Sequence, residues 1–248
     1  QSIRFYTVDR ELSSSLIHNN FQDKLGNIWI ATEDGLNRYD GAKFSIYKNS
    51  SKDEFSIMAN SVHCICEDAK RNLFFGTSKG IQLFDHATDK FFPVPIYGKN
   101  NQKHEPSVRK IAIISDGSIL VGTSGFDGMY RIEEKGKGKF EAHAIKNIDL
   151  KNKSIGDFYE DHDKNLWIST ENGELLKTRN FKIIKRYFTN AESTLYTISS
   201  MCEDSKKNLY IGTQGRGIFI YDKKKDSFES IEYSNPNLTV MTLYPYDK

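Results

Sequence analysis

The hydrophobic positions of this chain come in short runs, and one run recurs five times. Asn27-Ile28-Trp29-Ile30-Ala31-Thr32 has counterparts in Asn72 through Thr77, Ser118 through Thr123, Asn165 through Thr170 and Asn208 through Thr213. The closing threonines, at 32, 77, 123, 170 and 213, are 45, 46, 47 and 43 residues apart. A fixed period of this size marks an array of one supersecondary unit. Upstream of the run lies an apolar stretch ending in acids: Ser61 to Glu67-Asp68, Ser154 to Glu160-Asp161, and Thr197 to Glu203-Asp204. Downstream come a glycine and a third short run, as in Gly35 to Asp40, Gly80 to Asp85 and Gly217 to Asp222. Aromatic-rich stretches such as Lys43 to Tyr47, Phe91 to Val94 and Ser227 to Ile231 close the unit. Runs rich in Ile, Val, Phe, Tyr and Trp between Asp, Asn, Gly and Lys turns predict strands joined by hairpins. Four antiparallel strands in about 45 residues make one β-propeller blade.

The second run carries consecutive apolar residues, Ile28-Trp29-Ile30, so both faces of that strand need cover, as between neighbouring blades. The small residues Ala31, Gly76, Gly122, Ser169 and Gly212 recur where blades are expected to approach most closely, and Gly35, Gly80, Gly128, Gly173 and Gly217 where the chain turns into the third strand. The predicted class is therefore all-β, one propeller segment over residues 1–248 with units at 15–47, 61–95, 107–145, 154–188 and 196–231. Residues 3–8 read as an orphan fourth strand and residues 238–244 as the first strand of a sixth unit, which predicts a segment of a longer protein with an open or dimer-shielded edge.

Composition narrows the functions. With 35 basic and 33 acidic residues in 248, no basic footprint calls for nucleic acid. The basic run Lys223-Lys224-Lys225 falls between third and fourth strands, at a predicted hairpin tip. No apolar stretch approaches the ~18 residues of a membrane span. Cys64, Cys66 and Cys202 lie on first strands and read as small buried hydrophobes rather than metal or redox groups. No pattern calls for a cofactor or a metal, and the six histidines at 18, 63, 86, 104, 143 and 162 are read as scattered. The acid pairs recur once per unit and cannot converge on one substrate atom, so they are assigned to turns, and no catalytic residue is assigned.

Residues Leu16 to Asn20, Asp23 and Gly26 to Gly41 closely resemble the two-component regulator propeller repeat. Later units resemble it less closely, and the third, with Ser115-Asp116-Gly117 and Thr123 to Gly128, is a variant. The resemblance implies a fragment of a seven-bladed propeller in the periplasmic part of a sensor. A β-sandwich domain, a membrane helix and a histidine kinase would lie elsewhere in the parent. WD and kelch repeats fit worse, since Trp29 and Trp167 are each followed by Ile.

Loops joining second to third strands and connections between blades are expected on one face, where long segments such as Lys48 to Asn60 and Tyr97 to Ser107 supply variation. That face carries Glu33, Asp34, Ser78, Lys79, Phe126, Asp127, Glu171, Asn172, Gln214 and Arg216, groups suited to stacking on and hydrogen bonding to a sugar. The expected partners are an oligosaccharide, the remaining blades and the β-sandwich of the parent, and a second copy. The alternative is a propeller enzyme, a glycosidase or lyase.

Overall fold

Period-2 strands covered on both faces need stacked neighbours, and the computed structural model supplies them. It describes residue 7 and residues 11–189, 197–231 and 238–245. Among these residues there is no helix, and the strands form five sheets. The chain divides into two compact units, the first ending at Ala144 and the second beginning at Ile145.

The first unit holds three blades. The first blade runs β1 (Ile17–Gln22), β2 (Ile28–Thr32), β3 (Gly35–Tyr39) and β4 (Phe44–Tyr47), each hydrogen-bonded to the next. The second runs β5 (Val62–Glu67), β6 (Leu73–Thr77), β7 (Gly80–Asp85) and β8 (Lys90–Val94) in the same order. In the third, β9 (Ile96–Tyr97) and β10 (Lys103–His104) precede β11 (Val108–Ile113), β12 (Ile119–Thr123), β13 (Met129–Gly136) and β14 (Lys139–Ala144). Here β9 pairs parallel to β14, so the sheet has six strands where four are expected. Part of the Tyr97 to Ser107 connection is thus built into the blade edge.

The second unit holds β15 (Ile155–Glu160), β16 (Leu166–Thr170), β17 (Leu175–Arg179) and β18 (Lys182–Tyr187), then β19 (Ile198–Glu203), β20 (Leu209–Thr213), β21 (Gly217–Asp222) and β22 (Ser227–Ser230). Both sheets keep sequential order. The Lys223 to Lys225 run sits in the β21–β22 turn as predicted, with Lys225 Nζ on Glu229.

The repeated residues have repeated jobs. The hydroxyl of Thr32 donates to Gly35 O (2.7 Å), Thr77 to Gly80 O (3.1 Å), Thr123 to Gly128 O (3.2 Å), Thr170 to Glu174 O (3.2 Å) and Thr213 to Gly217 O (2.9 Å), closing the hairpin that leads into the third strand. Gly35 and Gly80 have φ of 133° and 138°, which a residue with Cβ rarely adopts. Every β6 residue is buried, and its faces serve different neighbours. Phe75 packs with Trp29 (5.1 Å between centroids) toward the first blade, while Phe74 packs edge-on to Phe140 toward the third. Gly76 marks the close approach, since a Cβ there would stand 2.4 Å from Cys64 Sγ and 2.6 Å from Val108 Cγ1. In the second unit Trp167, Tyr187, Met201, Ile211 and Tyr221 form the corresponding core.

The predicted strand at 238–244 is not formed. Val240 N instead donates to Thr213 O (2.9 Å), and the Val240 side chain packs where a Cβ on Gly212 would come within 2.7 Å of it. This mirrors Val108 against Gly76, but no second strand lies beside it among the described residues, so no ladder forms. The predicted strand at 3–8 lies outside the described residues apart from residue 7, which is not in a strand.

Candidate functional site

The first strand of every blade carries one residue too many for its partner. Ile17 pairs with Thr32 and Asn19 with Ala31, which leaves His18 unpaired in a β-bulge. The same break leaves out His63, Arg109, Gly156 and Ser199 in the later blades. A bulge of this kind re-aims a side chain out of the ladder. Each bulge lies next to the turn between second and third strands, because the first amide of that turn bonds the residue before the strand. Glu33 N donates to Leu16 O, Ser78 N to Ser61 O, Ser124 N to Ser107 O, Glu171 N to Ser154 O and Gln214 N to Thr197 O.

In the first unit, the predicted loop residues fall into two groups. Glu33 Oε2 accepts from His18 Nε2 (2.9 Å) and Ser61 Oγ (2.8 Å), and these bonds hold its carboxyl below the usual range. Ser61 Oγ also lies 3.0 Å from His63 Nε2, and His63 Nδ1 donates to Val108 O (2.8 Å). Burial pushes the His63 ring toward its neutral form. His18 and His63 are 45 residues apart, the spacing of Thr32 and Thr77, so they occupy one repeat position and the reading of the histidines as scattered is corrected for this pair. Asp34 is tied to Lys48 Nζ (2.6 Å) and Asn60 Nδ2 (2.9 Å). Lys79 is exposed, its amide bonded to Thr77 Oγ1.

The second group lies on the third blade. Phe126 has a φ of 55° and is 43% exposed, its ring against His104 at 4.7 Å between centroids. Holding a bulky residue in the left-handed region costs about 1–3 kcal/mol. Asp127 Oδ2 accepts from Lys99 N (3.1 Å) and lies 3.9 Å from His104 Nδ1, which bonds Tyr130 Oη (3.0 Å). An exposed ring beside a half-buried carboxylate results, fixed by the β9–β10 segment that has no counterpart in the other blades among the described residues.

In the second unit Glu171, Asn172, Gln214 and Arg216 are exposed turn residues. A groove of about 720 Å³ in the first unit, lined by Phe92, Pro93, Val94 and Phe140 among others, involves none of the predicted residues.

The acids at the strand ends are turn residues. Asp23 accepts from Leu25 N, Asn27 N, Asn27 Nδ2 and Trp29 Nε1 at 2.8–3.0 Å. Asp161 binds Asn165 and Trp167 Nε1 alike, and Asp204 binds Asn208 and Tyr210 Oη. The preceding glutamate reaches back to the previous blade's turn, Glu67 Oε2 to Lys24 N (2.9 Å) and Glu203 Oε2 to His162 N (2.9 Å).

Three stretches of the chain, residues 56–79, 149–172 and 194–215, match the two component regulator propeller family. They fall in the second, fourth and fifth repeats. A 46-residue stretch is 48% identical to a histidine kinase of Formosa agariphila, covering 18% of this chain and 3% of that protein. Among solved structures, the chain is similar to the extracellular domain of a hybrid two component system from B. thetaiotaomicron, at 20% identity and a TM-score of 0.54, over 96% of this chain and 38% of that one. It is also similar to virginiamycin B lyase from Staphylococcus aureus (12%, TM-score 0.63, 86% and 69% of the two chains) and to PorZ of Porphyromonas gingivalis (14%, 0.61, 91% and 34%). The chain thus covers 38% of that extracellular domain and 3% of the curated kinase. At these identities the structural likeness shows the fold, and the chain carries five blades of a β-propeller.

Proposed function

We propose that this run of two-component regulator propeller repeats is the ligand-recognition part of a membrane-anchored two-component receptor, facing the periplasm and reading an oligosaccharide without cleaving it. The observation that carries the reading is the match of three repeats to that family, each ending at the turn that the binding face is made of. In the first unit the exposed Phe126 ring supplies a stacking platform with Asp127 beside it, and in the second unit Asn172, Gln214 and Arg216 supply planar polar groups of their own. The strand-end carboxylates Asp23, Asp161 and Asp204 are occupied by turn amides and ring donors, which supports a binding role over acid–base work. Binding would signal by favouring one arrangement of propeller and partner domains, shifting the receptor's population.

The test is calorimetric titration of an oligosaccharide panel against the protein and its Phe126→Ala and Arg216→Ala variants, with chromatography of the recovered glycans. Saturable heat that either variant weakens supports the reading. Shortened glycans would make the chain an enzyme, and equal binding by both variants would remove this face.

A further inference from the structure

The geometry points to a divalent transition-metal site in the first unit, with His18 Nε2, Glu33 Oε2 and His63 Nε2 as ligands. One ligand atom from each of the three residues lies within 4.8 Å of the other two, with His18 Nε2 and Glu33 Oε2 already at 2.9 Å. Ligands about 2.0–2.1 Å from a tetrahedral zinc stand about 3.3 Å apart, so the trio closes on a metal with side-chain adjustments of an ångström or so. Two imidazoles and one carboxylate are a donor set that zinc accepts, leaving a position open.

Two further observations favour a cation over a mere hydrogen-bond cluster. First, His63 gives its Nδ1 proton to Val108 O (2.8 Å). That bond fixes the ring and points the Nε2 lone pair into the cluster, as outer partners do for metal-binding histidines. Second, Ser61 has one hydroxyl proton and faces two acceptors, Glu33 Oε2 at 2.8 Å and His63 Nε2 at 3.0 Å. One proton cannot serve both. A metal resolves the conflict by taking the Nε2 and Oε2 lone pairs and freeing Ser61. His18, which now donates from Nε2, binds the metal by moving that proton to Nδ1. Arg109, held on Ser124 Oγ (2.9 Å), adds an unfavourable charge near the metal, so the carboxylate of Glu33 is needed for affinity.

Chelator-treated protein titrated with zinc chloride in a calorimeter should bind one equivalent. His18→Ala, His63→Ala and Glu33→Gln should each weaken binding at least as much as the ~100-fold that losing an outer partner can cost. Ser61→Ala should cost less than the ~10-fold that is the least an outer partner's loss costs, because its hydroxyl is no ligand and is released when the metal takes the Glu33 and His63 lone pairs. Circular dichroism checks that each variant is folded, and cobalt(II) supplies a second reading through the visible bands of a tetrahedral N₂O site. Absence of saturable zinc heat from the folded parent would overturn the proposal, as would zinc affinity unchanged by His63→Ala.

Discussion

Asp23 and Asp68 hold the same turn in adjacent blades of the first unit, and they differ by one hydrogen bond. Asp68 accepts from Lys70 N, Asn72 N and Asn72 Nδ2, and Asp23 accepts from the equivalent Leu25 N, Asn27 N and Asn27 Nδ2. Asp23 also takes Trp29 Nε1 at 2.8 Å, where the second blade has Phe74 and no ring donor. Trp29 is wholly buried, so Asp23→Ala strands an indole N–H away from water as well as loosening the turn. A stranded buried donor costs about 1–3 kcal/mol, so Asp23→Ala should destabilise the unit by about 2 kcal/mol more than Asp68→Ala. The assay is urea unfolding in a Trp167→Phe background, which leaves Trp29 as the chain's one tryptophan and a reporter of the first unit alone. The control is Trp29→Phe followed by circular dichroism: with no ring donor to strand, the Asp23→Ala cost should fall to that of Asp68→Ala. Equal costs for the two aspartates, or an excess that survives Trp29→Phe, would refute the reasoning.

Three other outcomes follow from the packing and the charges. Gly76→Ala should lower first-unit stability by about 1–3 kcal/mol in the same urea assay, since its Cβ overlaps Cys64 Sγ and Val108 Cγ1 and overpacking is costly, and Val108→Ala should recover part of the loss. Burial pushes the Cys64 and Cys66 thiols up to about 12, so iodoacetamide at neutral pH should leave both unlabelled in the folded protein and label them after denaturation, read by peptide mass spectrometry. Asp226 is raised by desolvation, but Lys185, Tyr187 and Tyr221 outweigh this and hold it well below the usual carboxylate range. Its contribution is therefore present above about pH 4 and lost as pH falls toward its folded value, so Asp226→Asn should flatten the acid loss of second-unit stability followed by Trp167 fluorescence in a Trp29→Phe background.

The blades were legible because their signal is repeated: a threonine that closes a hairpin marks every unit, and an aspartate that caps another marks four of the five, with Ile114 in its place in the third. The extra strands β9 and β10 were not, because two-residue strands carry too little pattern to separate them from a loop. Residues 238–244 have the composition of a strand, yet composition does not supply the partner that a ladder needs. His18 and His63 illustrate a subtler gap. Their spacing stands in the sequence, but it acquires meaning only when residues are aligned on the threonines, and their convergence depends on a bulge that no residue type announces. The positions of Glu33 and Asp127 were predictable, and their partners Ser61 and His104 came from connections whose course was not.

The bulge has a consequence beyond the side chains it now presents. In each blade the residue before it is Ile or Val, buried in the last four blades and exposed as Ile17 in the first, whereas the bulged residue itself is in turn His, His, Arg, Gly and Ser. A residue outside the ladder contributes little to register, so exchanges at the exposed His18 and Arg109 should cost no more than an ordinary surface substitution, within about 0.5 kcal/mol. The repeat thereby separates inheritance from invention. What holds a blade is copied from unit to unit, while one adjustable position per copy lets selection rewrite the chemistry of the exposed rim a blade at a time.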